Sequence, residues 1–131
     1  MARLTTVNDI GIRFTQAAGD ENQIILSFQV VDAANAPVSG RFPLHVWFTS
    51  NATTLIETAS TYSGAVAATA GTLVKEITAK KNYDAVTNAD GLLTISITAT
   101  AEPADFAVVQ DFGLNPRLFV SPAFAAWGEA E

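Results

Sequence analysis

Hydrophobic side chains recur at every second position in two runs that face each other across a turn. Residues 23–32 read QIILSFQVVD, residues 33–41 AANAPVSGR and residues 42–50 FPLHVWFTS. Ile24, Leu26, Phe28 and Val30 alternate with more polar neighbours, and Phe42, Leu44, Val46 and Phe48 do the same. A strand sends successive side chains to opposite faces, so each run carries one continuous apolar face. Asn35, Pro37, Ser39 and Gly40 supply turn chemistry between them. The pattern predicts two long strands, each burying one face in a shared core.

The remaining elements follow the same period. Ile10, Ile12 and Phe14 predict a short half-buried strand, and residues 17–22 a loop by composition. Pro43 lacks an amide donor, which places the start of the second long strand at an edge or a bulge. His45 and Trp47 fall on the face opposite the apolar set. Residues 51–72 are rich in Ala, Thr and Ser, with Leu55, Ile56, Tyr62 and Val66 as apolar anchors. One or two short strands are expected there, because β-branched Thr dominates and no helical stripe persists. In residues 72–80 Leu73 and Ile77 lie opposite Val74 and Glu76, and a short strand follows over residues 83–87. Asn88-Ala89-Asp90-Gly91 is the strongest turn signal in the chain. Leu93, Ile95, Ile97 and Ala99 form the clearest period-2 strand. Strands over residues 106–110 and 117–121 close the pattern, before a tail reading PAFAAWGEAE. Seven to eight short strands with turn signals roughly every ten residues predict an all-β chain, an antiparallel β-sandwich.

Composition narrows the function classes. The 131 residues suit one domain. There is no cysteine, which removes disulfides, thiolate metal sites and thiol nucleophiles. The net charge is -6 and the Lys and Arg residues are scattered, so neither direct nucleic-acid binding nor an anionic membrane surface is expected. Only 15% of residues are charged while 49% are hydrophobic. Such a surface is either coated with Thr, Ser and Asn or covered by a partner. The opening MARLTTVNDIG lacks the apolar run of a secretion signal, so assembly in the cytoplasm is expected.

Catalytic signals are weak. His45 is the only histidine and has no G-x-S-x-G elbow beside it, so it reads as a strand-surface residue. The Asn88–Gly91 turn resembles the middle of a calcium loop. Val86 stands where the first ligand belongs, however, and no closing carboxylate follows. No phosphate loop or dinucleotide fingerprint is present. Asn51-Ala52-Thr53 matches a glycosylation acceptor, but such triplets are common. No enzyme, no cofactor and no metal is expected.

Two segments carry a resemblance. Residues 30–40, VVDAANAPVSG, look like the second strand and following turn of bacterial immunoglobulin-like domains. Residues 87–91, TNADG, with the alternating strand from Leu93 to Ala99, look like the later T-(D/N)-x-(D/N)-G turn of the same domains. The family is the group-1, invasin-like type, found in adhesins and in tailed-phage virion proteins. Residues 117–124, RLFVSPAF, are similar to the last strand of short phage structural proteins. Residues 51–72 do not match well.

The resemblance implies an immunoglobulin-like sandwich over residues 10–124, with an arm at 1–9 and a tail at 125–131. It further implies a structural virion protein, and the leading expectation is a capsid decoration or cement protein. Its partner would be the major capsid protein or another virion protein, and a homo-oligomer, a trimer, is envisaged. The location would be the outer capsid surface, after assembly in the host cytoplasm. A tail, neck or baseplate role is the first alternative, and a cell-surface carbohydrate-binding module the second. Candidate contacts are Arg3 and Leu4 in the arm and Phe119, Phe124 and Trp127 near the end. Phe119 and Trp127 have a second reading, in which they close the bottom of the core. For the carbohydrate alternative the candidates are Trp47, Tyr62 and Tyr83, as aromatics able to stack on sugar rings. Trp47 reads equally as a tryptophan lying across the outer face.

Overall fold

The computed structural model describes residues 11–50, 62, 64, 66–78, 81–111 and 117–128. The candidates Arg3 and Leu4 lie outside the described residues. Nine strands are found among them: β1 (Gly11–Ala18), β2 (Gln23–Val31), β3 (Pro43–Thr49), β4 (Val66–Ala70), β5 (Thr72–Thr78), β6 (Asn82–Val86), β7 (Leu92–Thr98), β8 (Phe106–Asp111) and β9 (Leu118–Val120). They form two antiparallel sheets, ordered β1-β2-β7-β4 and β5-β6-β3-β8-β9.

The period-2 reading succeeds where the alternation is strongest. Ile24, Leu26 and Phe28 of β2 and Leu93, Ile95 and Ile97 of β7 are fully buried in one cluster with Leu44, Val46 and Phe48 of β3. Tyr83 and Ala85 of β6 and Ala107 and Val109 of β8 complete that cluster. The inward faces of both sheets therefore share one core. Direct cross-strand partners such as Phe28 and Leu93, or Val46 and Val109, set the register. A slip of one residue would turn every one of these side chains outward.

Three expectations are corrected. The first strand runs through Ala18, because Ala17 and Ala18 pair with Ile25 and Ile24. The loop shrinks to a tight turn, in which Gly19 N donates to Gln23 O and Asn22 adopts a φ of 64°. Pro43 marks neither an edge nor a bulge. β3 is the middle strand of its sheet, and proline is tolerated as its first residue because the lost donor falls at the strand end. Ile77 does not join Leu73 in the core: it is 47% exposed. The pairing of β5 with β6 shifts register between Leu73 and Lys75 and again between Glu76 and Thr78. Val74 and Ile77 are the residues passed over, which breaks the alternation.

The two ends of the sandwich are closed differently. At one end residues 32–41 meet residues 87–91. Gly40 N donates to Ala89 O (2.7 Å), Val30 N to Gly91 O (2.9 Å) and Val38 N to Val30 O (2.9 Å). The buried Thr87 hydroxyl accepts from Phe42 N (2.8 Å) and donates to Gly40 O (2.9 Å). At the other end residues 121–128 form a strap. Phe124 N donates to Asp105 O (2.8 Å), Gly128 N to Gln23 O (2.8 Å), and Asn22 N to Gly128 O (3.0 Å). Gln16 of β1 holds the strap with both halves of its amide: Oε1 accepts from Ala125 N (2.9 Å), and Nε2 donates to Ala123 O (2.9 Å). Residues 125–128 thus pack as part of the sandwich and not as a separate tail.

Candidate functional site

The strap explains two of the sequence candidates. Phe124 is buried with its ring 6.2 Å from Phe48 and 6.4 Å from Trp127. Trp127 is only 6% exposed and belongs to the core cluster. Both close the end of the core, the second of the readings given to Trp127. Phe119 is half-buried on β9, paired with Val109, with the Arg117 guanidinium 5.3 Å from its ring centre. That geometry is a cation–π contact.

Tyr62 and Tyr83 are corrected as candidate stacking aromatics, because both are buried. Their rings pack edge-on against Phe48, at 5.8 and 6.4 Å. Each phenol finds a carboxylate: Tyr62 donates to Asp105 Oδ2 (3.0 Å) and Tyr83 to Glu76 Oε2 (3.0 Å). Burial pushes the Tyr62 phenol pKa well above its ordinary value, and the negative Asp105 pushes it further. Asp105 is itself buried, so the pair is an internal tie. Nothing in the local sequence pattern links these two residues.

Trp47 is the one stacking candidate that stays on an outward face. Leu44, Val46 and Phe48 of β3 point into the core, so His45 and Trp47 point away from it. Cross-strand register sets Trp47 between Asn82 of β6 and Val108 of β8, and His45 between Asp84 and Gln110. His45 Nε2 hydrogen-bonds Asn82 Oδ1, and its ring lies 5.0 Å from that of Trp47 at a 56° tilt. Val108 also faces outward but is fully buried. In the middle of this face half-buried Trp47 therefore has Asn82 on one side and the fully buried Val108 on the other, with half-buried His45, Asp84 and Gln110 two residues along the strands.

The two outer faces differ in chemistry. On the four-stranded sheet the outward row runs Thr15, Ser27, Thr94, and the last two share a hydroxyl hydrogen bond of 3.3 Å. Among the described residues, the large hydrophobics that stand exposed, Val74 (63%), Ile77 (47%) and Leu118 (45%), all lie on the five-stranded sheet. They sit on its two edge strands, β5 and β9. Sequence reading passed over all three. A signal was present at β5: strict alternation from Leu73 would have pointed Lys75 inward, which a core strand does not tolerate.

Among the described residues, no group of three or more His, Asp or Glu side chains gathers as a metal site, and no helix is long and apolar enough to cross a membrane. No family model matches the chain, and no similar curated protein or solved structure was found. What the described surface offers most plainly is apolar contact at the two edges of the five-stranded sheet.

Proposed function

We propose that the chain is a non-enzymatic structural protein of a tailed-phage particle, a decoration or cement protein bound to the outside of the major capsid shell. The observation that carries this reading is where its two motif segments meet. Residues 30–40 and 87–91, which carry the resemblance to group-1 immunoglobulin-like domains, are wired together at one end of the sandwich through Gly40, Ala89 and Gly91. They behave as one structural unit, as they would if both descend from that domain.

Strand order supports the same reading. Immunoglobulin sandwiches place strands A, B, E and D in one sheet and C, F and G in the other. Here β1, β2, β7 and β4 occupy the first set of places, and β3, β8 and β9 the second. The departure lies between them. β6 sits beside β3, but the chain reaches it only after passing through β4 in the opposite sheet and β5 at the edge.

Docking through apolar groups at the sheet edges takes over from docking through Phe124 and Trp127. Val74, Ile77 and Leu118 are the contact residues of this reading, Phe119 flanks them on β9, and a trimer around a local symmetry axis is its assembled form. Quantitative mass spectrometry across a density gradient of particles from the source culture tests it. The expected result is co-banding at a copy number close to that of the major capsid protein. A few copies per particle would move the protein to the tail, neck or baseplate. Recovery only in the soluble fractions would sink both forms of the virion reading.

A further inference from the structure

We propose that copies of the chain join head to tail through opposite edges of the five-stranded sheet, β5 of one copy against β9 of the next. Among the described residues, the exposed large hydrophobics stand on these two edges, Val74 and Ile77 on β5 and Leu118 on β9. The two edges of one sheet point away from each other, so a single flat partner reaches only one of them. An isologous dimer, β5 on β5 or β9 on β9, also leaves one edge in water. A head-to-tail contact covers both edges in every copy of a closed ring. Two copies cannot meet at both edges, which point apart, so the smallest closed ring holds three. The inference rests on the edge contacts named for the virion reading, and it names a second copy of this chain as what they touch.

The register brings the two edges level. Pairing across the sheet puts Lys75 and Leu118 in the row of His45, and Glu76 and Phe119 in the row of Val46. Thr78 and Val120 fall in the row of Trp47. A rotation about an axis that runs along the strands leaves every height unchanged, so these rows meet between neighbouring copies. Val74 then comes level with Leu118, and Ile77 with Phe119 and Val120. The register breaks of β5 oppose a continuous backbone ladder, so the contact is made by side chains.

The charges are complementary as well. Directly paired residues share a side of the sheet. Glu76 pairs with the buried Tyr83 and so lies on the core side, and Phe119 lies there too through its pairing with Val109. The Arg117 guanidinium stands over the Phe119 ring at 5.3 Å. Glu76 and Arg117 are both exposed, and opposite charges therefore meet on this side of the joined edges. Glu76 Oε2 already accepts from the Tyr83 hydroxyl, and a carboxylate takes further donors. Lys75, the like charge nearest in height to Arg117, lies on the outer side with Asp84 and Leu118.

Sedimentation velocity on the full chain tests this without particles. Two short strands make a small interface, so association is expected in the range of about 1–100 μM. The expected result is a mass of three copies or more at the upper end of that range. Ile77→Asp spoils only the β5 edge and Leu118→Asp only the β9 edge. Each should weaken self-association by about tenfold or more, because it sets a carboxylate in an apolar contact. Mixed together they should form a 1:1 complex, since the intact β9 edge of the first still fits the intact β5 edge of the second. That recovery also shows both variants to be folded. Arg117→Glu sets like charge against Glu76 and should weaken association severalfold. A native chain that stays monomeric or stops at a dimer would overturn the proposal. So would association that Leu118→Asp or Arg117→Glu leaves unchanged, or failure to recover on mixing while both variants keep the native far-ultraviolet circular dichroism. None of these results bears on co-banding with particles, which decides the virion reading by itself.

Discussion

Tyr62 is a single residue through which the stability of the whole core becomes sensitive to alkali. Its phenol is buried and donates to the buried Asp105 carboxylate at 3.0 Å. Burial first, and Asp105 second, raise its folded pKa far above the unfolded value of about 10. Below pH ~10 the phenol is protonated in both states and its contribution is intact. Above that pH the unfolded tyrosine releases its proton while the folded one keeps it, so stability falls as pH rises. The thermal midpoint should therefore drop more steeply between pH ~9 and ~11 for the native protein than for Tyr62→Phe. At neutral pH the Phe variant should be about 1–3 kcal/mol less stable, because Asp105 loses a buried donor. Parallel pH profiles would remove Tyr62 from this role. A second residue-scale prediction concerns Gly91, which has a φ of +73° and where an added Cβ would lie only 2.0 Å from Val38 O. Gly91→Ala meets both left-handed strain and a backbone clash, and should cost at least ~2 kcal/mol in urea unfolding. An unchanged midpoint would show that the turn relaxes freely. Gly91 was legible, since Asn-Ala-Asp-Gly announces a left-handed position. Gly128 was not: a Cβ there would lie 2.0 Å from Asp20 O, a constraint set by a turn at the other end of the chain.

At the scale of elements, the strap and β5 show why some assignments could not be read in advance. β2, β3 and β7 each bury one face, so their period stands in the sequence. The strap has no period. Its place is fixed by Gln16, Asn22, Gln23 and Asp105, none of which is near it in the chain. Trp127→Ala should cost about 3–5 kcal/mol, as expected for emptying a large buried site. Trp127→Phe should lose much less than its volume change suggests. The indole Nε1 is buried without a hydrogen-bond partner among the described residues, and phenylalanine removes that liability. Comparable losses in the two variants would mean that the indole N–H is satisfied. β5 is the opposite case: a strand whose apolar residues look like core and are not. Its two register breaks leave Val74 and Ile77 outside, on a free edge that such breaks protect from pairing with another sheet. The double substitution V74T/I77T should change unfolding free energy by less than ~1 kcal/mol, and under the proposed virion role it should weaken retention on particles. A large loss of stability would place those side chains in the core after all.

At the scale of the whole molecule, a sandwich could be read from the alternating runs, but not which strand lies beside which. Nothing in the β3 sequence says that its neighbours are β6 and β8, since both are reached only after the chain has visited the other sheet. That non-local wiring makes one cooperative unit the natural outcome. Both sheets bury their inward residues in a single cluster, and Phe48 touches rings from Tyr62, Tyr83 and Phe124 at once. Loss of any contributor exposes the others, so intermediates with one sheet formed have little to stabilise them. Two single-tryptophan proteins make this testable. Trp127→Phe leaves Trp47 to report on the five-stranded face, and Trp47→Phe leaves Trp127 to report on the strap. In urea, each variant's fluorescence should change at the same concentration as its own far-ultraviolet circular dichroism, with a slope of about 1–3 kcal/mol per molar. If Trp127 changes first while the dichroism holds, the strap opens alone. Residues 121–128 would then be a separately melting unit held by their backbone bonds to Gln16 and Gln23, and the end of the core that they close would be the first part of the molecule to admit water.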